Sequence, residues 1–314
     1  MEQDGALPAI PKHVLNIAGI RIPLRCPPGL GLHYSPTQPV RTFLALPGPG
    51  QGAARTGPGR GPFPEMVVEF VRGTLPSTEG LCPLFGCGDS WTLYLNGDEY
   101  WLANHLPGRP EPAWLARISP GCDRVTLHCG KGMITEEEAG SRVEDPFCYP
   151  LDQILIMLYL ATRGGVIVHA AGVGTNRGGC VFAGRSGAGK STLTRQLAGR
   201  KGVRALSDDR VVIRKIDGGF RMYGTPWPGE AGIALNAWTP LRRLFFLCKS
   251  SEDRLVPLTP GEAMERLMPV VSVPWFSREL IVPQLAFLDE LLAAVPAFDL
   301  HFRPTPAVAE LLLA

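Results

Sequence analysis

Short apolar runs, alternating with polar residues and cut by Gly, Pro, Asn and Asp, fill the first half of the chain. "HVLNIAGIRIPLRC" (13–26), "MVVEFVRG" (66–73), "SWTLYLNGDEYWLANH" (90–105) and "DRVTLHCG" (123–130) are β-branched or aromatic stretches that predict strands. "NGDE" (96–99), between two such runs, is a hairpin signal of the Asn-Gly kind. "PGPGQGAARTGPGRGPFP" (47–64) has no apolar periodicity and predicts a mobile loop or internal linker, its Arg55 and Arg60 solvated. Residues 1–146 therefore read as a β-rich α+β domain.

Near residue 145 the texture changes. "DPFCYPLDQILIMLYLATRGG" (145–165) predicts a turn and then a helix closed by Gly164. Strands are predicted at "GVIVHAAGV" (165–173), "CVFAG" (180–184), "VRALSDD" (203–209), "RVVIRKI" (210–216), "FRMYGT" (220–225), "LRRLFFLCK" (241–249) and "FDLHFR" (298–303). "KSTLTRQLAGR" opens a helix at Lys190. "TPGE" (259–262) is a capping box, with Thr259 at N-cap, Pro260 at N1 and Glu262 at N3. A further helix covers about 280–295, and Thr305-Pro306 opens a last short one. Residues 147–314 thus predict a single α/β domain.

Length and composition narrow the classes. A chain of 314 residues exceeds most single cores and suits two domains, and 45% hydrophobic residues are enough to bury a sizeable interior. A formal charge of +2 gives no reason to expect nucleic acid or an anionic membrane as partner. The acidic start "MEQDGALPAI" lacks the order of a secretion signal, and "ILIMLYLA" (154–161) is far shorter than the roughly 18–20 residues that span a bilayer. The eight cysteines form no CxxC pair and do not cluster with the six histidines along the chain. Reduced thiols, a cytoplasmic location and no structural zinc are the expectation.

The chemistry concentrates in "VFAGRSGAGKSTL" (181–193). Gly184-x4-Gly189-Lys190-Ser191 satisfies the phosphate-loop pattern, preceded by an apolar strand and followed by a helix carrying Leu193 and Leu197. In such a loop successive backbone N–H groups point at phosphate oxygens, and the helix N-terminus adds partial positive charge. Gly184, Arg185, Ser186, Gly187, Ala188, Gly189, Lys190, Ser191 and Thr192 are the candidate nucleotide-binding residues. Lys190 would reach the β/γ-phosphates and Ser191 would ligate Mg²⁺.

A motor ATPase would also need an apolar strand ending in acid. "LAFLDE" (285–290) has that wording, but Leu285, Leu288, Leu291, Leu292 and Val295 repeat at helical spacing, which puts Asp289 and Glu290 on a solvated helix face. Asp208 and Asp209, at the end of a short apolar stretch soon after the loop, are the better acids. Adjacent carboxylates at a strand end point in different directions, so one can hold metal while the other takes a substrate proton. That division suits phosphoryl transfer to a hydroxyl. His169 lies in the apolar strand expected beside the one that feeds the loop, where a polar role in the site is favoured over a core one.

"VHAAGV…VFAGRSGAGKST…LSDDRVVI" resembles the catalytic domain of HPr kinase/phosphorylase, within the phosphoenolpyruvate-carboxykinase-like nucleotide-binding fold, and resembles most the divergent homologues encoded with peptide-modification cassettes. His, loop and Asp pair match in order and spacing over about 150–240. The resemblance implies ATP and Mg²⁺ on Gly184 to Ser191, Asp208 as acid/base facing an acceptor serine, Asp209 on the metal side, and His169 beside the phosphates. It also implies a protein or peptide substrate with an accessible serine, and leaves a homo-oligomer open. The family carries Glu directly after Lys-Ser, where this chain has Thr192, and its "LEIRG" segment is replaced by "YGTPWPGEAGIALN" (223–236), with Glu230 the carboxylate available to substitute as metal ligand. Phosphorylase activity and HPr as acceptor are therefore not implied. Pro226 and Pro228 make that segment a rigid turn, either a wall of the site or a loop held by a buried Trp227. Arg242 and Arg243 read as one solvated and one paired residue. The overall expectation is a serine kinase. Two alternatives stay open, a P-loop ATPase and a catalytically silent nucleotide-binding accessory protein of a peptide-modification pathway.

Overall fold

The computed structural model describes residues 13–45, 65–106, 108, 111–137, 140–303, 305 and 307–313. The Gly/Pro-rich stretch 47–64 and the first twelve residues lie outside the described residues. The chain divides into two compact units, residues 1–156 and 157–314. The division falls inside helix α1 (Leu151–Ala161). Among the described residues the fold is mostly β-sheet with few helices.

Twelve strands make up the first unit's described sheets: β1 (His13–Ile17), β2 (Ile20–Arg25), β3 (Leu30–His33), β4 (Leu44–Ala45), β5 (Val67–Arg72), β6 (Cys82–Cys87), β7 (Trp91–Asn96), β8 (Glu99–His105), β9 (Pro112–Ile118), β10 (Arg124–Cys129), β11 (Ile134–Glu137) and β12 (Gly140–Glu144). Nine of them pair in the order β4-β1-β2-β5-β10-β9-β8-β7-β6, and three in the order β11-β12-β3. The run at 13–26 is a hairpin, turned at Ala18 and Gly19 with φ of 54° and 73°. Leu15, Ile17, Ile20, Ile22 and Leu24 are among its buried residues.

The hairpin signal at 96–99 holds, with a shifted centre. Asn96 pairs with Glu99, so Gly97-Asp98 forms the two-residue turn and Gly97 supplies the positive φ of 63°. Strand β9 escapes a reading by alternation because four consecutive residues, Ala113 to Ala116, are all buried between β8 and β10.

Nine strands belong to the second unit: β13 (Gly165–Thr175), β14 (Gly178–Ala183), β15 (Val203–Ser207), β16 (Arg210–Ile216), β17 (Gly219–Tyr223), β18 (Trp238–Lys249), β19 (Arg254–Leu258), β20 (Val271–Ser272) and β21 (Ala297–Phe302). Its further helices are α2 (Lys190–Leu197), α3 (Pro260–Leu267), α4 (Arg278–Ala294) and α5 (Val308–Leu313). The path β14-β13-β16-β17-β18 returns to its start, because β14 and β18 also pair, in parallel. Strand β13 changes partners along its length: His169 and the residues before it pair with β16, while Gly172 to Thr175 pair with β15. The corner between β15 and β16, Asp208-Asp209, is thereby delivered to the middle of β13.

Helices α3 and α4 bear out the sequence pattern in detail. Thr259 Oγ1 accepts the Glu262 N–H at 3.4 Å, and Glu262 Oε2 accepts the Thr259 N–H at 2.8 Å. In α4 Leu288, Leu291 and Leu292 are buried, whereas Asp289 and Glu290 are exposed, with Glu290 paired to Lys215 at 2.6 Å. "LAFLDE" is therefore a stretch of amphipathic helix and not a strand with a terminal acid.

Candidate nucleotide site

The glycine loop leaves β14 at Ala183 and enters α2 at Lys190. Gly187 and Gly189 have φ of 78° and 102°. At Gly189 a Cβ would sit 3.0 Å from Phe302 Cζ as well as in the left-handed region, so only glycine is free of strain there. The first helical amide to find its partner is that of Leu193, which donates to the Gly189 carbonyl at 2.9 Å. The amides of Lys190, Ser191 and Thr192 precede it and have no acceptor within the helix, which is the donor set an anion requires.

Lys190 folds back over its own loop. Its Nζ donates to the carbonyls of Gly184 at 2.8 Å and Arg185 at 3.2 Å. Burial pulls its ammonium below the ordinary lysine value; the Asp209 charge opposes that shift and Arg210 adds to it. A desolvated cation resting on neutral carbonyls gains strongly from an incoming phosphate.

The two aspartates are held in different ways. Asp208 is buried, and its Oδ1 accepts the backbone N–H of Gly229 at 2.9 Å and of Ile233 at 3.1 Å, while Oδ2 accepts that of Ala231 at 2.6 Å. Asp209 Oδ1 lies 3.0 Å from His169 Nε2, and its Oδ2 is bonded to Arg210. Burial alone would raise the Asp209 carboxyl, but the His169 hydrogen bond and the Arg210, His169 and Lys190 charges hold it below the usual carboxylate range.

The turn 223–236 turns out to be both things the sequence left open. Trp227 is buried, and Thr225 Oγ1 donates to the Arg210 carbonyl at 2.6 Å. Beyond it Gly229 and Glu230 stand on the wall of a cavity.

That cavity, about 560 Å³, collects most of the expected site: His169, Ser186, Gly187, Gly189, Lys190, Ser191, Thr192, Asp208, Asp209 and Glu230 line it. Gly184, Arg185 and Ala188 do not line it; the first two support Lys190 from behind. Arg242 is exposed and Arg243 donates to the Leu312 carbonyl at 3.0 Å, so neither reaches the site. Sequence reasoning missed Lys249, Ser250 and Phe302, which complete the wall. Strands β14, β18 and β21 run parallel, so their C-terminal ends share one edge, and residues leaving that edge line the cavity, where ligands of open α/β sheets commonly bind. The signal that could have found them is their place at the ends of apolar strands, once those strands are known to be neighbours.

Residues 148–279 match the family model of ScmC, described as a SynChlorMet cassette protein. The match spans less than half of the chain, and covers the loop, the Asp pair and His169. No curated protein matches the chain in sequence. The solved structure of the Hpr(Ser) kinase/phosphatase from Coxiella burnetii aligns with 47% of this chain and 93% of its own, at 13% identity and a TM-score of 0.29. Two chains at that score need not share a fold. Among the described residues no helix is long and apolar enough to cross a membrane.

Proposed function

We propose that the second unit is a kinase that transfers the γ-phosphoryl group of ATP, with Mg²⁺, to a hydroxyl of a peptide or protein, serine being the acceptor class. The observation that carries this reading is one cavity in which a phosphate loop with its lysine faces a carboxylate–imidazole pair. Match to a cassette protein family supports a peptide made or modified alongside this protein as the acceptor.

In this reading the loop amides and Lys190 hold the β/γ-phosphates, and leaving Gly184 and Arg185 for phosphate oxygen relieves the desolvated ammonium. Oxygen donors of the kind Mg²⁺ prefers stand beside the loop in Ser191 and Glu230, while Asp209, expected from the sequence on the metal side, is kept here for the acceptor. A bound Mg²⁺ would neutralise phosphate charge during transfer. Asp209, oriented by His169, is the carboxylate of the pair that backbone amides do not hold, and it takes the acceptor's proton. Asp208, which the sequence reading put in that role, spends its lone pairs on Gly229, Ala231 and Ile233; it positions the wall that presents Glu230.

The test is phosphate transfer from labelled ATP to serine peptides by the purified full chain. Asp209→Asn and His169→Ala should abolish or strongly reduce transfer while ATP still binds. Transfer at the wild-type rate in Asp209→Asn overturns the assigned roles. Tight ATP binding with no transfer to any acceptor would support a silent nucleotide-binding protein instead, and rapid hydrolysis without an acceptor would support an ATPase.

A further inference from the structure

We propose that Cys248, Asp299 and His301 bind a Zn²⁺ ion on the sheet face opposite the nucleotide cavity. The three side chains each offer one ligand atom, and these atoms lie within 4.8 Å of one another. Their meeting is a product of strand pairing. β18 and β21 run in parallel with Cys248 opposite His301 and Phe246 opposite Asp299, which sets all three donors on one face. Lys249 and Phe302, the next rung, point to the other face and line the cavity. Cys248 lies far from the other two in sequence, which is why chain spacing excluded zinc.

The donor set selects the metal. Thiolate, imidazole and carboxylate together suit Zn²⁺, whereas Mg²⁺ and Ca²⁺ want oxygen alone. Bonds of about 2.0–2.3 Å around a tetrahedral zinc put neighbouring donors roughly 3.5 Å apart, so the donors, now within 4.8 Å, would draw together by about 1 Å on binding. Thiolate and carboxylate cancel the ion's charge. Asp299 already has an outer partner that fixes its orientation: Arg266 donates through Nε to Oδ1 at 3.3 Å and through a terminal nitrogen to Oδ2 at 3.2 Å. Ligating carboxylates commonly carry such a second partner.

Untagged full chain, titrated with Zn²⁺ and separately with Co²⁺, tests the site without any nucleotide, and so apart from the proposed transfer reaction. One equivalent of zinc should bind, and cobalt should show a thiolate-to-metal charge-transfer band. Cys248→Ser should lose the band, His301→Gln should weaken binding at least about tenfold, and Cys82→Ser with Cys87→Ser, at exposed thiols, should change neither. If the Cys248 variant fails to fold, alkylation of the wild type decides: zinc should shield Cys248 from iodoacetamide. Absence of a bound equivalent, a band that survives Cys248→Ser, or a Cys248 alkylated equally fast with and without zinc overturns the proposal.

Discussion

On the loop rim of the cavity the ligand-facing groups are backbone amides and a lysine resting on carbonyls that a phosphate can displace. Across from it, at the corner of β15 and β16, the groups are side-chain carboxylates, each already engaged: one by three backbone amides, the other by His169 and Arg210. The loop rim is a set of donors waiting for charge. At the acid corner, adjacent residues of one type have separate partners, Asp208 the amides of the 229–233 turn and Asp209 the side chains of His169 and Arg210. Residue type alone does not separate the two acids; their hydrogen-bond partners do, and the proposed division of roles rests on them.

The largest effect that would sharpen this contrast is on stability. Asp208→Ala strips the acceptor from three N–H groups and should cost about 3 kcal/mol, read as a lower urea midpoint at constant slope. Asp209→Ala, next door, should cost no more than about 1 kcal/mol. Equal losses would erase the distinction between the two. On the loop rim Lys190→Met should weaken ATP binding about 100-fold, roughly 2.7 kcal/mol, by calorimetry, while the chain remains folded.

Smaller steps follow. Gly189→Ala combines a left-handed backbone with the approach of Phe302 and should lower ATP affinity about tenfold, close to 1.4 kcal/mol, whereas Gly187→Ala, whose added methyl meets nothing within 4 Å, should cost less. His169→Ala should release the Asp209 carboxyl upward toward the ordinary carboxylate value, about 4. Because the folded-state value is depressed, the stability Asp209 contributes is present above the ordinary value and lost as pH falls through the lowered one. The wild type should therefore exceed His169→Ala most at neutral pH and converge with it in acid, followed by denaturation at a series of pH values. A gap that stays constant with pH would remove the His169–Asp209 coupling.

Local chemistry was legible in the sequence wherever a motif is local. The glycine loop, the Thr259 capping box and the helical repeat of 285–295 depend on residues a few positions apart, and each appears where the pattern put it. Of the nearby acids, type and place could be read but the division of labour could not, since the partners of Asp208 come from amides at 229 to 233. Lys249 and Phe302 were illegible for a longer-range reason: they reach the cavity only because β14, β18 and β21 are parallel neighbours. The same strand pairing gathers Cys248 and His301 from distant parts of the chain. Uniform burial hid β9, because a strand covered on both faces carries no alternation to read.

The smallest predicted effect bears on the acids that the wording "LAFLDE" offers in place of the Asp208-Asp209 corner. Glu290 makes an exposed pair with Lys215 and Asp289 faces solvent on α4, away from the lining of the cavity. Exposed pairs of this kind contribute little because water screens them and two long side chains must be ordered. Asp289→Asn and Glu290→Gln should each change stability by less than about 0.5 kcal/mol. Nucleotide binding and any ATP consumption should stay at wild-type level, measured by calorimetry and phosphate release. A large loss of ATP turnover in either variant would move the chemistry from the β15–β16 corner to α4, and with it replace the transfer reading by an ATPase one.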